Sequence, residues 1–504
     1  MFKLFNRYAD PARPVSWRFF LHVWASVILL VLSSACSVGP DFKRPETAMP
    51  TQWSGTAQGA ATAARAIADE ELACWWTVFG DPMLSSLVER ATAANLDLKL
   101  AEARVRQARA ARAVAAGGLG PAVDGSGVYQ RSQSSLPAAN GQTTAVSTDQ
   151  YQAGFDAGWE IDLFGGQRRN REAAEADLKA VIESRRDVLV SLMAEVARNY
   201  IQLRSYQQQI AITKQNLAAQ QHSARLTRER FEGGFVSGLD VANAEAQTAT
   251  TAAQIPLLES SARQTIYSLS ILIGAAPMAL DAELTPTGDI PGAPPAVPLG
   301  VPSDLLRRRP DIRLAEARIH AATARIGVAA AELFPKFTIT GAFGYQSDEF
   351  STLFDWSSRS WSWGPSVLWH LFESGRLRAG VEVQKALQEQ EIITYQQTVL
   401  NSLQEVENAL VASTKEQTHR KAVAAALAAN RKAVSLAEKL YVEGMTDFIN
   451  VLQAQQALYS TENALAQSTA TVATNLVALY KALGGGWAET SPDQAAAAQA
   501  DGPK

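Results

Sequence analysis

The sequence predicts an α+β membrane protein in which β-strands cross a lipid bilayer and very long helices continue from them. Three observations lead to this fold class. A secretion signal opens the chain, but no later segment has the length and apolarity of a transmembrane helix, so a membrane span must be built from strands. Four segments alternate apolar and polar residues with a period of two. Two proline-free stretches of more than sixty residues have helical spacing.

The N-terminal segment is a sorting signal. Basic residues, Lys3 and Arg18 among them, precede the apolar run FFLHVWASVILLVL, which is short for a membrane span but typical of a signal peptide. We predict residues 1–35 as that peptide. Small residues before Cys36 favour processing with N-acyl and diacylglycerol lipid on this cysteine, and Ser37 favours the outer membrane as its destination. The alternative is an ordinary signal peptide followed by an unmodified cysteine.

Composition excludes several classes of protein. The formal net charge of −4 and the pI near 5.9 argue against nucleic-acid binding, because no basic stripe is present to contact phosphates. Two cysteines are too few for a disulfide-built fold. The five histidines are scattered without metal-ligand spacing. The thiol of Cys74, beside two tryptophans, is expected to be packed rather than reactive. We therefore predict a protein that is not an enzyme and uses no cofactor apart from the lipid.

The chain repeats itself. RFEGGFVSGLDVANAEAQ from Arg230 matches LYVEGMTDFINVLQAQQA from Leu440 at an offset of 210, and LDLKLAEARVRQARA from Leu96 matches PDIRLAEARIHAATA from Pro310 at an offset of 214. We predict two structural repeats, each containing a helix, two strands and a long helical hairpin. The resulting division is an N-terminal segment at 36–82, repeat 1 at 83–287, a Pro/Gly-rich linker at 288–302, repeat 2 at 303–486 and a disordered tail at 487–504.

The long helices are predicted from about Gln167 to Phe231 and from about Arg376 to Tyr441. A 4-3 spacing of mostly apolar or small residues along the first indicates a coiled-coil seam, and either helix would extend roughly 100 Å at 1.5 Å per residue. The positions of that seam are Leu178, Ile182, Arg185, Leu189, Leu192, Val196, Asn199, Leu203, Tyr206, Ile210, Thr213, Leu217, Gln220 and Ala224.

Each long helix is expected to stop at glycine and turn back. Gly233 and Gly234 suit a left-handed C-cap, and Ser237 with Asp240 forms a capping box for the return helix. In the second copy Gly444 ends the helix. The return helices, predicted at Leu239–Ile273 and Phe448–Leu483, are about half as long as their partners. The segments Met83–Ala116 and Ser303–Leu333 are expected to stack end to end with them and complete the hairpins. An ordinary helical connection is the alternative to a functional tip.

The strands are predicted at 123–133, 151–164, 337–346 and 361–372, two in each repeat. In YQAGFDAGWEIDLF, Phe155, Trp159 and their apolar neighbours share one face, whereas Asp156, Glu160 and Asp162 share the other. Four strands cannot close a barrel, and an open sheet in lipid would leave edge amides unpaired. Closure therefore has to come from other copies of the chain, with the apolar face towards lipid. A soluble sandwich with this face buried is the alternative.

These parts together resemble the outer-membrane factors of tripartite efflux pumps, the TolC family, in its lipoprotein branch. The residues that carry the resemblance are SVGPDFKRPE after Cys36, the 30-residue run from Trp75, WEIDLFGGQRR from Trp159, RRRPDIRLAEARI from Arg307 and YVEGMTDFINVLQAQQAL from Tyr441. The resemblance implies a homotrimer whose pooled strands form a twelve-stranded barrel in outer-membrane lipid. A periplasmic α-helical coiled-coil barrel would continue it, with an equatorial belt formed by residues 36–82 and 288–302.

The resemblance also implies partners and a mechanism. A periplasmic membrane-fusion adaptor protein and an inner-membrane RND-type transporter would dock at the helical tips, and the channel would be a passive exit duct for small molecules such as drugs. Its periplasmic gate is expected on the second return helix. Some relatives carry a carboxylate there that corresponds to Gln453 here, which leaves an acidic constriction in doubt. The expected gate residues are Asp447, Ile449, Asn450 and Gln453, and the expected docking residues are Gly233, Gly234, Phe235, Ser237, Gly238, Leu239, Gly444, Met445 and Thr446.

Two other functions stay open on the sequence alone. One is a type I secretion channel of the outer membrane, and the other is a structural periplasmic coiled-coil lipoprotein without a pore. The sequence does not identify the cargo.

Overall fold

In a computed structural model of the chain, residues 37–53, 72–137, 143–292 and 302–488 are described. The predicted signal peptide, Cys36, most of the linker 288–302 and residues 489–504 of the tail lie outside this part. The α-helices of four residues or more are α1 Pro82–Ala94, α2 Leu96–Gly117, α3 Gly166–Glu232, α4 Gly238–Leu272, α5 Asp281–Leu284, α6 Leu305–Arg308, α7 Pro310–Ala331, α8 Arg376–Val442 and α9 Phe448–Ala482. The strands are β1 Ala122–Pro137, β2 Thr143–Ile161, β3 Lys336–Ser347 and β4 Arg359–Leu368.

The chain forms two compact units. The first contains the described residues of 1–43, 110–176 and 319–389, and therefore the whole sheet. The second contains the described residues of 44–109, 177–318 and 390–504, and therefore the return helices and both helical turns. Within the described residues, no helix is both long enough and apolar enough to span a bilayer.

The sheet is antiparallel, with its strands in the order β1-β2-β3-β4. Phe155 lies between Gly125 and Phe343, and Phe343 lies opposite Trp361, so one face collects the aromatic side chains. This face is not covered by other described residues: Phe155 is 64% exposed and Trp363 is 75% exposed. The described part of the chain thus does not form the soluble sandwich that was the alternative.

The strand bounds differ from those predicted. β1 and β2 extend beyond the alternating segment, because residues 130–137 pair with 143–150 in a backbone ladder that does not require apolar side chains. β4 ends at Leu368 instead of residue 372, since β3 begins at Lys336 and offers no further partner. Trp369 follows the strand, and its indole nitrogen donates to the Leu333 carbonyl at 3.2 Å.

The two long helices, α3 and α8, have 67 residues each, and the two return helices, α4 and α9, have 35 residues each. At 1.5 Å per residue, each 67-residue helix extends roughly 100 Å. Helices α8 and α9 begin and end 210 residues after α3 and α4, and α7 begins and ends 214 residues after α2.

The segments predicted as single helices at 83–116 and 303–333 are each broken. The first break is at Asn95, whose side chain accepts from the Leu98 amide at 2.9 Å and donates to the Leu272 carbonyl at the end of α4. The second is at Arg309, which donates to the Ala482 carbonyl at the end of α9. The two breaks therefore lie at the ends of the return helices, where the side chains of Asn95 and Arg309 each satisfy a terminal carbonyl.

A partly buried hydrogen bond links the start of α1 to α3. The carboxylate of Asp81 caps α1 by accepting from the Met83 and Leu84 amides, and it also accepts from the Tyr200 hydroxyl at 2.7 Å. Burial raises the pKa of Tyr200 to about 12. The phenol therefore stays protonated and remains a donor to the cap.

The predicted apolar seam of α3 is only half correct. Val196 and Leu203 are buried as expected, but in the portion nearer the turn the buried positions are polar. Hydrogen bonds to α9 replace apolar contacts there: Thr213 to Tyr459, Asn216 to Glu462 and Ser223 to Gln455. The predicted positions Ile210, Leu217 and Ala224 are half-buried. The buried polar stripe consists of Gln209, Thr213, Asn216, Gln220, Ser223 and Thr227.

Candidate functional site

The first helical turn joins α3 to α4 through a Schellman motif. The Phe235 amide donates to the Arg230 carbonyl at 2.8 Å and the Gly234 amide to the Phe231 carbonyl at 2.9 Å. Gly234 takes a φ of 79°, a left-handed conformation that costs glycine little. Ser237 then begins α4 with a capping box, exchanging hydrogen bonds with Asp240. The turn is thus fixed by local chemistry at both ends.

The second turn joins α8 to α9 with the same backbone bonds. The Met445 amide donates to the Leu440 carbonyl at 2.8 Å, and Gly444 has a φ of 73°. Asp447 occupies the N-cap position, but its side chain makes no capping hydrogen bond. Asn450 instead donates to the Thr446 hydroxyl at 2.8 Å. The second turn therefore leaves a carboxylate available at the start of α9.

The two turns lie side by side and share a small apolar core, which we call the turn cluster: Ala244, Tyr441, Phe448, Val451 and Leu452. Val236 of the first turn packs against it. Tyr441 and Phe448, with ring centroids 5.5 Å apart, are 4% and 3% exposed. A cavity of about 330 Å³ lies beside the cluster. Its lining includes Phe448 and Val451, and the charged Glu438, Lys439 and Glu443.

Arg230 links the two hairpins directly. Its guanidinium donates to the Val442 carbonyl at 3.0 Å and lies over the Tyr441 ring at 4.8 Å. The Tyr441 hydroxyl donates to the Thr227 hydroxyl at 3.3 Å. We call these contacts the Arg230 latch. A cation near the C-terminal end of a helix usually interacts with the unpaired carbonyls of that same helix. Here the carbonyl that Arg230 contacts belongs to the other long helix.

The expected gate residues lie on one side of α9, away from the turn cluster. Gln453 is exposed, as are Asp447 and Asn450, and Ile449 is 43% exposed. Leu452 and Val451 point into the cluster instead. This is the helical alternation expected of a helix with one packed face and one unpartnered face.

The expected docking residues all lie in the two turns or the first turn of α4. Their apolar members are strongly exposed: Phe235 at 77%, Leu239 at 68% and Met445 at 63%. Arg230, Thr227, Tyr441 and Phe448 were not among the residues predicted from sequence. Tyr441 and Phe448 correspond, at the offset of 210, to Phe231 and Gly238. The pair Tyr441 and Phe448 is aromatic in only one copy of the turn, and this difference was the signal that could have identified these two residues.

The sequence following Cys36 lies at the base of the sheet. The Val38 amide donates to the Phe164 carbonyl at 3.0 Å, just beyond β2, and the Arg169 guanidinium donates to the Val38 carbonyl. Arg169 is also paired with Asp41 at 2.6 Å. These bonds fix the backbone next to Cys36 at the junction between strand and helix, although Cys36 itself lies outside the described residues.

In the described residues, no group of three or more His, Cys, Asp or Glu is placed to hold a metal ion. His320 is in hydrogen-bond contact with Glu172 at 3.0 Å and stacks on Phe42. The expectation that Cys74 is packed is wrong: Cys74 is exposed, since the short turn that follows directs Trp75 inward instead.

Comparison with known proteins identifies relatives over most of the chain. A family model described as "Outer membrane efflux protein" matches residues 87–275 and 301–485. Nodulation protein T of Rhizobium leguminosarum bv. trifolii is 30% identical over 462 residues, which cover 91% of this chain and 96% of the relative. The pyoverdine export outer membrane protein OpmQ of Pseudomonas aeruginosa is 32% identical, over 91% of this chain and 95% of its own. The solved outer-membrane channel OprN superposes with a TM-score of 0.84 at 36% identity, covering 90% of this chain and all of that one.

Proposed function

Because the chain belongs to the outer membrane efflux protein family, we propose a mechanism by which it conducts cargo out of the cell. It is an outer-membrane efflux channel that extends into the periplasm. The family is one of channel proteins, and we propose that this chain performs no chemistry on its cargo. Energy for export would come from a partner transporter of the RND type, and selection among small molecules would occur there.

We propose that three chains close one twelve-stranded barrel. The outer edges of β1 and β4 have no strand partner within the described residues, and unpaired amides in hydrocarbon cost several kcal/mol each. In the order β1-β2-β3-β4 the strands alternate in direction, so β4 of one chain can pair antiparallel with β1 of the next. Four strands from each of three chains give an even-numbered barrel above the minimum of eight.

The helical part would then form a coiled-coil barrel built from two structural repeats in each chain. The equal offsets of 210 residues between the bounds of α3 and α8, and of α4 and α9, support this proposal. Residues 36–82 and 288–302 would form the equatorial belt.

We further propose that Cys36 carries the N-acyl and diacylglycerol lipid. The hydrogen bonds of Val38 and Arg169 fix the adjacent backbone at the periplasmic end of β2, which is where the inner leaflet surface would meet the proposed barrel. A lipid attached there would enter the bilayer without stretching the chain. One lipid alone gives only modest anchoring, so the barrel would supply most of the membrane attachment.

At the other end of the long helices, the two turns would bind the periplasmic adaptor. Phe235, Leu239 and Met445 are exposed apolar side chains in or next to the two turns, and such side chains suit contact with a partner protein. In a trimer the unpartnered side of α9, with Asp447, Ile449, Asn450 and Gln453, would line the mouth of the duct. Adaptor binding would favour the state in which the hairpins are apart.

The Arg230 latch is the observation that carries this gating proposal. It is a contact between the two hairpins of one chain, so opening by separation of the hairpins must break it. Losing one hydrogen bond and one cation–π contact costs about 1–3 kcal/mol. A cost of 1.4 kcal/mol shifts a two-state equilibrium roughly tenfold, so Arg230→Ala should raise the open fraction about tenfold.

Single-channel recording in planar bilayers tests this. In this proposal the channel is closed at rest. Arg230→Ala is therefore expected to raise its mean conductance. The matched control is Arg228→Ala, which removes the same charge two residues away but breaks a pair with Glu245 inside the first hairpin. Equal conductance in both variants and the wild type would contradict the latch.

A further inference from the structure

The segment between β3 and β4, residues 348–358, exposes large aromatic side chains. Phe350 and Phe354 are each 68% exposed and Trp356 is 70% exposed, whereas Leu353 beneath them is 4% exposed. The segment is ordered by two short helical turns, Phe350–Thr352 and Trp356–Ser358, and by a bond from the Ser358 hydroxyl to the Thr352 carbonyl at 2.8 Å. We call it the aromatic loop. Exposed aromatics held in a fixed arrangement indicate a surface that has a partner.

The aromatic loop folds onto one particular face of the sheet. Phe350 contacts Tyr151 edge to face, with ring centroids 5.7 Å apart, and Phe354 contacts Tyr345 in the same way at 5.8 Å. Both tyrosines lie on the face that carries Phe155 and Phe343. The loop therefore continues the apolar face, which points to lipid in the proposed barrel, and does not turn towards the polar face.

The position along the strands matches the thickness of a bilayer. Ten residues of β2 separate the pair Ile161–Phe337 from the pair Tyr151–Ser347. At 3.3 Å per residue and a tilt of about 40°, this corresponds to about 25 Å along the barrel axis, the height of the apolar band in outer-membrane barrels. The tyrosines contacted by the loop thus stand at its outer boundary, because the helices continue from the opposite end of the sheet.

Polar groups begin directly beyond that boundary on the same face. Arg131 lies 3.7 Å from Asp149, and the Tyr129 hydroxyl donates to Asp149 at 2.9 Å. Arg359, opposite Tyr345, lies over the Trp356 ring at 4.2 Å and donates to the Trp356 carbonyl. Aromatic rings capped by guanidinium groups are the composition found where acyl chains meet lipid headgroups.

We propose that the aromatic loop is a membrane anchor seated in the outer leaflet, with Phe350, Phe354 and Trp356 among the upper acyl carbons and Arg359 at the depth of the headgroups. The inference rests on the proposed barrel. A lipid surface is the occupant that fits because the loop is continuous with the lipid-facing side of the sheet. A soluble partner would instead need a surface directed away from the bilayer.

Depth-dependent fluorescence quenching tests the proposal. The full-length protein is reconstituted into phosphatidylcholine vesicles whose lipids carry bromine either near the headgroup or near the chain ends. The contribution of Trp356 is the difference between wild type and Trp356→Phe. It is expected to lose a larger fraction of its intensity to bromine near the headgroup than to bromine near the chain ends.

Two further variants make the result interpretable. Trp363, opposite Gly341 near the middle of the apolar band, should be quenched most by bromine near the chain ends, as measured with Trp363→Phe. Trp487, in the other compact unit, serves through Trp487→Phe as a control that neither lipid should quench.

The outcomes separate the anchor from the barrel. An unquenched Trp356 with a quenched Trp363 would place the loop in water and overturn the anchor while leaving the barrel intact. If neither tryptophan is quenched, the proposed barrel fails first and the anchor fails with it. Stronger quenching of Trp356 by bromine near the chain ends than by bromine near the headgroup would also overturn the interfacial position.

Discussion

Asp187, on α3, lies in a crowded group of charges. Burial raises the pKa of its carboxyl above the ordinary value, and the nearby Asp311 adds to this effect. Arg309 and Lys481 act in the opposite direction, and Glu405 raises the pKa further. Arg309 is occupied by hydrogen bonds to Asp311 and Glu405, so it does not fully offset the cost of a charged Asp187.

This arrangement predicts a pH-dependent stability. A carboxyl whose pKa is raised on folding binds its proton more tightly in the folded state, so stability rises as the pH falls through the folded-state pKa towards 3.8. At neutral pH the buried charge costs stability. Asp187→Asn should therefore raise the unfolding temperature at neutral pH.

Thermal unfolding in detergent, followed by circular dichroism, measures the effect. The difference between wild type and Asp187→Asn should shrink steadily from neutral pH towards about pH 4, as the wild-type carboxyl takes up its proton. Glu229→Gln, at an exposed position of α3, is the control for simple loss of a negative charge. A lower unfolding temperature for Asp187→Asn at neutral pH would refute this reading.

Residue-scale chemistry was predictable from sequence where it is local. The capping box of Ser237 and Asp240 depends on residues three apart, and the left-handed Gly444 ends its helix as expected. The Arg230 latch was missed because its partner carbonyl belongs to a residue 212 positions later. No pattern within a single helix indicates which distant backbone group a side chain will reach.

At the scale of elements, two glycines face each other between β2 and β3 with no room for a side chain. Gly154 of β2 lies opposite Gly344 of β3, and a Cβ added at Gly154 would stand 2.8 Å from the Phe343 carbonyl oxygen. Gly158 lies on the same strand and the same face, yet a Cβ there would meet nothing within 4 Å.

These two glycines make a matched pair for a test. Gly154→Ala should force β2 and β3 apart and reduce the yield of assembled barrel, whereas Gly158→Ala should leave it unchanged. The measurement is the fraction of membrane-extracted protein that runs as a heat-modifiable oligomer in a detergent gel. Equal fractions for the two variants would contradict the close packing of these strands.

Gln220 is the weak position in the polar stripe of α3. It is 3% exposed, and neither its amide nitrogen nor its amide oxygen has a partner among the described residues. An unsatisfied buried polar group costs about 1–3 kcal/mol. Gln220→Leu, which has similar volume, should therefore raise the unfolding temperature and make the closed helical arrangement harder to open.

The measurement is the thermal unfolding temperature of Gln220→Leu, compared with that of the control variant Asn216→Leu. Asn216 donates to Glu462 at 2.8 Å, so its replacement leaves a partner unsatisfied and should destabilise. A lower unfolding temperature for Gln220→Leu would show that the amide does have a partner.

The same stripe shows what sequence could predict of the elements. Helix ends followed from glycines and caps, and the strands from alternation. The 4-3 pattern assigned Ile210, Leu217 and Ala224 to the seam because apolar residues were expected inside. The same pattern correctly included the buried Thr213 and Gln220. It missed Asn216 and Ser223, which are buried because they form hydrogen bonds to α9. Periodicity alone does not distinguish two adjacent faces when both contain small residues.

At the scale of the whole molecule, the proposed function depends on association. In the part of the chain that the structure describes, the sheet of four strands has two unpaired edges, and its aromatic face and one side of α9 have no packing partner. A trimer would use all of them at once, with the edges paired, the aromatic face in lipid and α9 lining the duct. The need for closure follows from the sequence by counting strands, but the number of chains came only through resemblance to a family.

The mass of the purified mature protein in mild detergent, determined by native mass spectrometry, tests this association most directly. We expect a particle of three chains, each carrying the additional mass of the lipid on Cys36, that withstands dilution and dissociates on heating. A monomer that stays dispersed after the detergent is removed would contradict the shared barrel and, with it, the channel mechanism.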